Sequence, residues 1–124
     1  MKGETSWKRN RQPKVAQAKS TLKQAVSVIY TTVPEKSAKG IAAAVLEKKS
    51  AACVVFLDAK SMYWWKGKLE NDKETVLLFK TATGNAEKAV EEIRKLHPYE
   101  VPCILIFSAE CNPEYWEWLY KETL

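Results

Sequence analysis

His97 is the only histidine of this 124-residue chain, so triad chemistry, histidine-based proton transfer and any imidazole ligand to a metal must all run through it. It opens the run His97-Pro98-Tyr99-Glu100-Val101-Pro102-Cys103, which gathers an imidazole, a phenol, a carboxylate and a thiol. His97 and Cys103 are candidate metal ligands, although their separation is not a standard metal-binding spacing. Cys53 is a third candidate, but it lies inside an apolar run, where a thiol also serves as a small buried hydrophobe. For His97 the alternative is equally concrete, because a histidine at a proline-bounded helix end also caps and packs. Cys111, just before Asn112, reads as exposed and oxidisable.

A second constellation is Tyr63-Trp64-Trp65, followed by Lys66, Lys68 and Lys80 and accompanied by Glu74 and Glu100. Such aromatics either stack on a ligand ring or fill an interface; interface burial is the expectation, because each ring can remove roughly 150 to 250 Å² from water. The chain lacks G-x-S-x-G, a phosphate loop, H-E-x-x-H and a close pair of acids with a histidine, so the enzyme classes those motifs mark are not expected.

Charge and thiol usage narrow the partners. Residues 1–24 hold seven Lys or Arg against one acid, whereas residues 25–124 hold 13 bases and 14 acids, so the net +5 belongs to the N-terminal segment. Nucleic-acid binding is therefore not expected of the core. Three cysteines leave an odd thiol under any single pairing, which favours a reducing, cytoplasmic setting, with organelle targeting by the acid-poor residues 1–24 left open. No apolar run approaches the roughly 20 residues of a membrane span.

Periodicity supplies the elements that must hold these residues. AVSVIYTT at 25–32 reads as a central strand with both faces covered. Thr32 and Glu35 around Pro34 resemble a capping box, opening a helix whose stripe is Ala38, Ile41, Ala42 and Val45. Gly40 inside that helix would be explained by a close approach to a strand. AACVVFLD at 51–58 reads as a second buried strand, followed by a hairpin with arms at 62–69 and 75–81 and the polar turn Glu70-Asn71-Asp72-Lys73. Asn85 can cap a helix with the stripe Ala86, Ala89, Val90, Ile93 and Leu96, which Pro98 ends. VPCILIFS at 101–108 is a third apolar run, with Pro102 at its start or on an edge. Asn112-Pro113 opens a last helix in which Tyr115, Trp118 and Leu119 share a face. The order β-α-β-hairpin-α-β-α fits an α+β, ferredoxin-like βαββαβ sandwich with a long central hairpin and an extra C-terminal helix over 25–124, preceded by a basic extension over 1–24.

Thr32-Val33-Pro34, Ala51-Ala52-Cys53, Ser61-x-Tyr63-x-Trp65-x-Gly67, Glu74, Lys80-Thr81 and His97-Pro98-Tyr99-Glu100-Val101-Pro102, in this order, resemble the CutA divalent-cation-tolerance family. The resemblance implies a fold related to the PII signalling proteins and a homotrimer assembled through the hairpin and final helix. Tyr63, Trp64, Trp65, Lys80, Tyr99, Glu100 and Trp118 then fall at the interface or its clefts. It implies binding of copper or another divalent cation, with no required cofactor and no catalytic reaction. The alternatives it carries are an interaction or anchoring scaffold, as for animal relatives linked to acetylcholinesterase anchoring or processing, and a PII-like small-ligand signalling module. Two positions depart from the family's pattern. Cys103 stands where relatives often have Glu, and Thr31 where some bacterial relatives carry a cysteine proposed to bind copper.

Overall fold

The structure is a computed structural model that describes residues 24–124, so the basic extension assigned to 1–24 lies, apart from Gln24, outside the described residues. The β-branched first strand, β1 (Gln24–Val33), alternates Ser27, Ile29, Thr31 and Val33 on one face with Val28, Tyr30 and Thr32 on the other. After it come α1 (Glu35–Glu47), β2 (Cys53–Trp65), β3 (Lys68–Ala82), a 3-10 turn (Thr83–Asn85), α2 (Ala86–Leu96), β4 (Ile104–Cys111) and α3 (Pro113–Glu122). The strands are antiparallel in the order β2-β3-β1-β4. This is the expected split-βαβ, ferredoxin-like sheet with an added C-terminal helix.

Ile29, Val33, Leu77 and Phe79 meet Ala38, Ile41 and Val45 of α1 and Ala89 and Ile93 of α2. These side chains form the core on what we call the helix face. α1 buries the stripe its spacing predicts, and α2 buries Ala86, Ala89 and Ile93 of its stripe, while Val90 is half-buried and Leu96 is exposed at the helix end. Gly40 makes no close approach: a Cβ there would meet open space. The capping box does not form either. Thr32 is held in the ladder opposite Val76, Pro34 becomes the cap position, and no side chain caps α1. Asn85 does precede α2, but its amide donates instead to the Thr123 carbonyl at 3.4 Å.

The largest correction concerns the hairpin. The chain reverses at Lys66-Gly67, between Trp65 and its partner Lys68, and the polar run 70–73 lies within β3 opposite Lys60–Tyr63. Positive φ at both turn residues (50° and 81°) is the conformation of a two-residue turn that matches strand twist. Residues 51–58 are therefore no separate strand. They begin β2, an edge strand on which Phe56 and Leu57 are exposed rather than buried. Nor is β1 covered on both faces along its length: helices cover one face, while Val28, Tyr30 and Thr32 on the other are only half-buried.

Residues directly opposite in register share a face. The face away from the core helices therefore carries the row Val55, Leu78, Tyr30 and Leu105, flanked by Phe107 and Leu57. α3 packs on β1 and β3 and covers part of this face, with Lys80 Nζ 5.7 Å from the ring centroid of Tyr115. Leu57, Leu105 and Phe107 remain exposed, so an apolar sheet face stays open. Among the described residues no helix is long and apolar enough to cross a membrane.

Candidate functional site

β3 outruns β1, whose last residue Val33 pairs with Thr75, and the next residue outward on β3 is Glu74. The residue is nevertheless buried, 7% exposed, and two hydroxyls donate to its carboxylate. Ser61 Oγ, one step diagonally across the β2–β3 ladder, donates to Oε1, and Tyr99 Oη donates to Oε2 at 2.6 Å. A second pair lies further along the same face, where Tyr63 Oη donates to Asp72. The hydrogen bond to Asp72, together with neighbouring carboxylates, pushes the Tyr63 phenol up to about 12. Burial, followed by the bond to Glu74, raises Tyr99 as well. Neither phenol is poised to act as a base near neutral pH.

His97 faces this array from the helix side. Pro98 ends α2, the His97 amide closes the helix on the Ile93 carbonyl at 2.9 Å, and the ring turns onto β1. Nδ1 accepts from the Tyr99 amide at 3.2 Å, which leaves Nε2 as the protonated nitrogen, 3.0 Å from the Thr32 carbonyl and 3.1 Å from Thr31 Oγ1. The His97 and Tyr99 rings tilt together with centroids 4.9 Å apart. Burial lowers the imidazole pKa below its ordinary 6.5, against smaller opposing effects from the Thr32 carbonyl and Glu74. Protonation of Nδ1 would also set a donor against the Tyr99 amide. Both ring nitrogens are thus engaged in joining α2, β1 and the Tyr99 segment.

The structure brings His97 and Tyr99 together with Glu74, a residue the candidate ligand set omitted. Glu100 and Cys103 are exposed nearby in sequence. Lys80 and Trp118 belong elsewhere: Lys80 is six residues along β3 from Glu74, about 20 Å at strand rise. There Cys53 is half-buried beside Tyr115, whose phenol is raised by burial and then by Cys53. Trp118 packs on Tyr115 at 5.7 Å. Cys111 is half-buried rather than exposed, and burial pushes its thiol up. Among the described residues no three His, Cys, Asp or Glu side chains gather to hold a metal.

Strand parity also divides the aromatic cluster. Tyr63 and Trp65 project on the face of Glu70, Asp72 and Glu74, whereas Trp64 projects on the opposite face beside Leu69. Trp65 is 36% exposed and Trp64 72%. The signal that locates Glu74, Ser61 and Asp72 in one array is this same alternation, which becomes readable once the turn is placed at 66–67.

Comparison with known proteins agrees with the fold. Residues 27–122 match the family described as CutA1 divalent ion tolerance protein. The divalent-cation tolerance protein CutA of Pyrococcus horikoshii is 37% identical over 98 residues, covering 77% of this chain and 96% of the relative. The structure of the periplasmic divalent cation tolerance protein CutA from Archaeoglobus fulgidus superposes with a TM-score of 0.76 at 34% identity, covering 80% of this chain and 99% of that one. The PII-like protein CutA from Nostoc sp. PCC 7120 in apo form gives 0.76 at 29% identity, covering 79% and 97%.

Proposed function

The chain belongs to the CutA1 divalent ion tolerance protein family, and from that premise we propose that it serves divalent-cation tolerance as a homotrimer with no catalytic step of its own. The observation that carries the assembly is the open sheet face. Val55, Leu78, Tyr30 and Leu105 form one row across all four strands, with exposed Phe107 and Leu57 on either side. Contiguous exposed apolar surface of this kind calls for a partner. Tyr63 and Trp65 continue the same face towards the hairpin tip, so these two aromatics, and not Trp64, belong to the proposed interface.

Cation binding is proposed between chains, since the described residues of one chain do not gather three such donors. Copper is the cation of choice, because sites with nitrogen and sulfur donors favour it along the first-row series. Exposed Cys103 is the proposed thiol ligand. His97 would join only by giving up the Thr32 carbonyl, and Cys53 only by leaving Tyr115. The three unpaired thiols support a cytoplasmic setting.

Light scattering during size-exclusion chromatography tests the assembly. We expect about three chains per particle for the parent and single chains for Phe107→Asp, which would place three carboxylates in an apolar interface. A parent that runs as a monomer at micromolar concentration refutes the reading.

A further inference from the structure

At the end of β3 away from the hairpin lies a cavity of about 520 Å³, lined by Ala25, Ala82, Gly84, Trp116, Tyr120 and Leu124. Trp116 and Tyr120 stand nearly parallel there, with ring centroids 5.1 Å apart, and Tyr120 is 47% exposed. Three further lining side chains are already engaged. The Asn85 amide donates to the Thr123 carbonyl, the Thr83 hydroxyl to the Ala25 carbonyl and the Thr123 hydroxyl to the Leu119 carbonyl. A polar metabolite needs several convergent donors and acceptors. An aromatic side chain needs only apolar walls and a ring to stack on.

Two observations select the occupant. Ala25 lines the cavity and adjoins Gln24, the first described residue, so residues 1–23 leave from the cavity's rim. The second is charge. Residues 110–124 carry four exposed acids, Glu110, Glu114, Glu117 and Glu122, against one base, Lys121, and among the described residues none of the four acids has an ion-pair partner. Glu110 stands opposite Ala25 in the ladder, and Glu117 follows Trp116 on α3. Residues 1–23 carry seven bases against one acid, Glu4.

We propose that residues 1–23 of the same chain dock here, with the Trp7 indole in the cavity beside Trp116 and Tyr120 and with Lys8, Arg9 and Arg11 towards Glu110 and Glu117. Trp7 is the only aromatic residue of the segment, and three bases follow it within four positions. Leu22 is two residues from Gln24, too few for the chain to reverse, since a turn takes four. Trp7 lies 17 residues before Gln24, or up to about 60 Å of extended chain, so reach is not limiting. Tethering at the rim gives an effective concentration on the order of millimolar, which favours the chain's own segment over a separate ligand. The contact needs one chain only and asks nothing of the homotrimer.

Hydrogen exchange of the full chain, read by mass spectrometry, tests this from both sides. Amides of residues 5–11 should exchange at least about fivefold faster in Tyr120→Ser than in the parent, a substitution that leaves their own intrinsic rates untouched. Those of residues 116–124 should exchange faster in Trp7→Ser and at the parent's rate in Trp7→Phe. Salt at about 0.5 M should accelerate residues 5–11 in the parent, because it screens the exposed acids. Carbodiimide should couple Lys8 to Glu110 or Glu117 within single chains. Equal exchange of residues 5–11 in the parent and Tyr120→Ser overturns the proposal, and so does parent-like exchange of residues 116–124 in Trp7→Ser. Coupling between chains overturns docking of the chain's own segment. Light scattering on the same samples should give the parent's particle mass for every variant; a changed mass in Tyr120→Ser assigns the cavity to the assembly and overturns the proposal as well.

Discussion

Removing the Tyr99 hydroxyl isolates the contact that ties the segment after α2 to the hairpin. The bond is short, 2.6 Å from Tyr99 Oη to Glu74 Oε2, and its acceptor is 7% exposed. Hydrogen bonds to a charged group contribute about 1.5 to 3 kcal/mol. Tyr99 is only half-buried and Ser61 still holds the other carboxylate oxygen, so the lower end of that range applies. Tyr99→Phe should therefore cost about 1.5 kcal/mol per chain, and a double-mutant cycle with Glu74→Ala should return a coupling of about 1 to 2 kcal/mol. Urea unfolding at one fixed chain concentration is the assay, because the proposed assembly would make apparent stability depend on concentration. Hydrogen exchange at the Tyr99 amide, which donates to His97 Nδ1, should accelerate in Tyr99→Phe. A coupling below about 0.5 kcal/mol would refute the reasoning, since Glu74 and Tyr99 would then be neighbours without a shared constraint.

His97 supplies a pH dependence of definite sign. Its folded pKa lies below 6.5, so the unfolded chain binds the proton more readily. The stability it contributes is fully present above pH 6.5 and is lost as pH falls from there through the lowered folded value. Unfolding curves between pH 7 and 5 should accordingly be steeper for the parent than for His97→Gln, and identical slopes would exclude the effect. At the hairpin turn, Gly67→Ala should destabilise by about 1 kcal/mol because φ is +81°, while Lys66→Asn should stabilise by a few tenths, Asn-Gly being the favoured pair there; urea midpoints check both. For copper, calorimetry without reducing agent should show Cu(II) bound more tightly than Mn(II), Co(II) or Zn(II), with Cys103→Ser weakening it by at least about tenfold. Equal affinity in the parent and Cys103→Ser would remove that thiol from the site.

Much of the framework was legible because its signals are local. The Ala38, Ile41, Ala42 and Val45 stripe follows from a 3.6-residue period, and the end of α2 follows from a proline that cannot donate and that restricts His97. The family resemblance rested on motif residues in fixed order. What one strand shows its neighbour is not local. The run Glu70-Asn71-Asp72-Lys73 has the composition of a turn, yet a ladder needs only backbone donors and acceptors. Once β3 continues through it, Asp72 and Glu74 find hydroxyls on Tyr63, Ser61 and Tyr99. Only the register placed the reversal at Lys66-Gly67, where both residues take positive φ. A displacement of one residue inverts every side chain of a strand, so that register also decided that Tyr63 and Trp65 continue the open face while Trp64 stands on the other. The sequence by itself determined that the aromatics, acids and histidine were present and which elements carried them. Tertiary pairing decided which of them meet, because the hydrogen-bond partners of His97 and Glu74 come from strands and loops distant along the chain, and neither periodicity nor spacing encodes that distance.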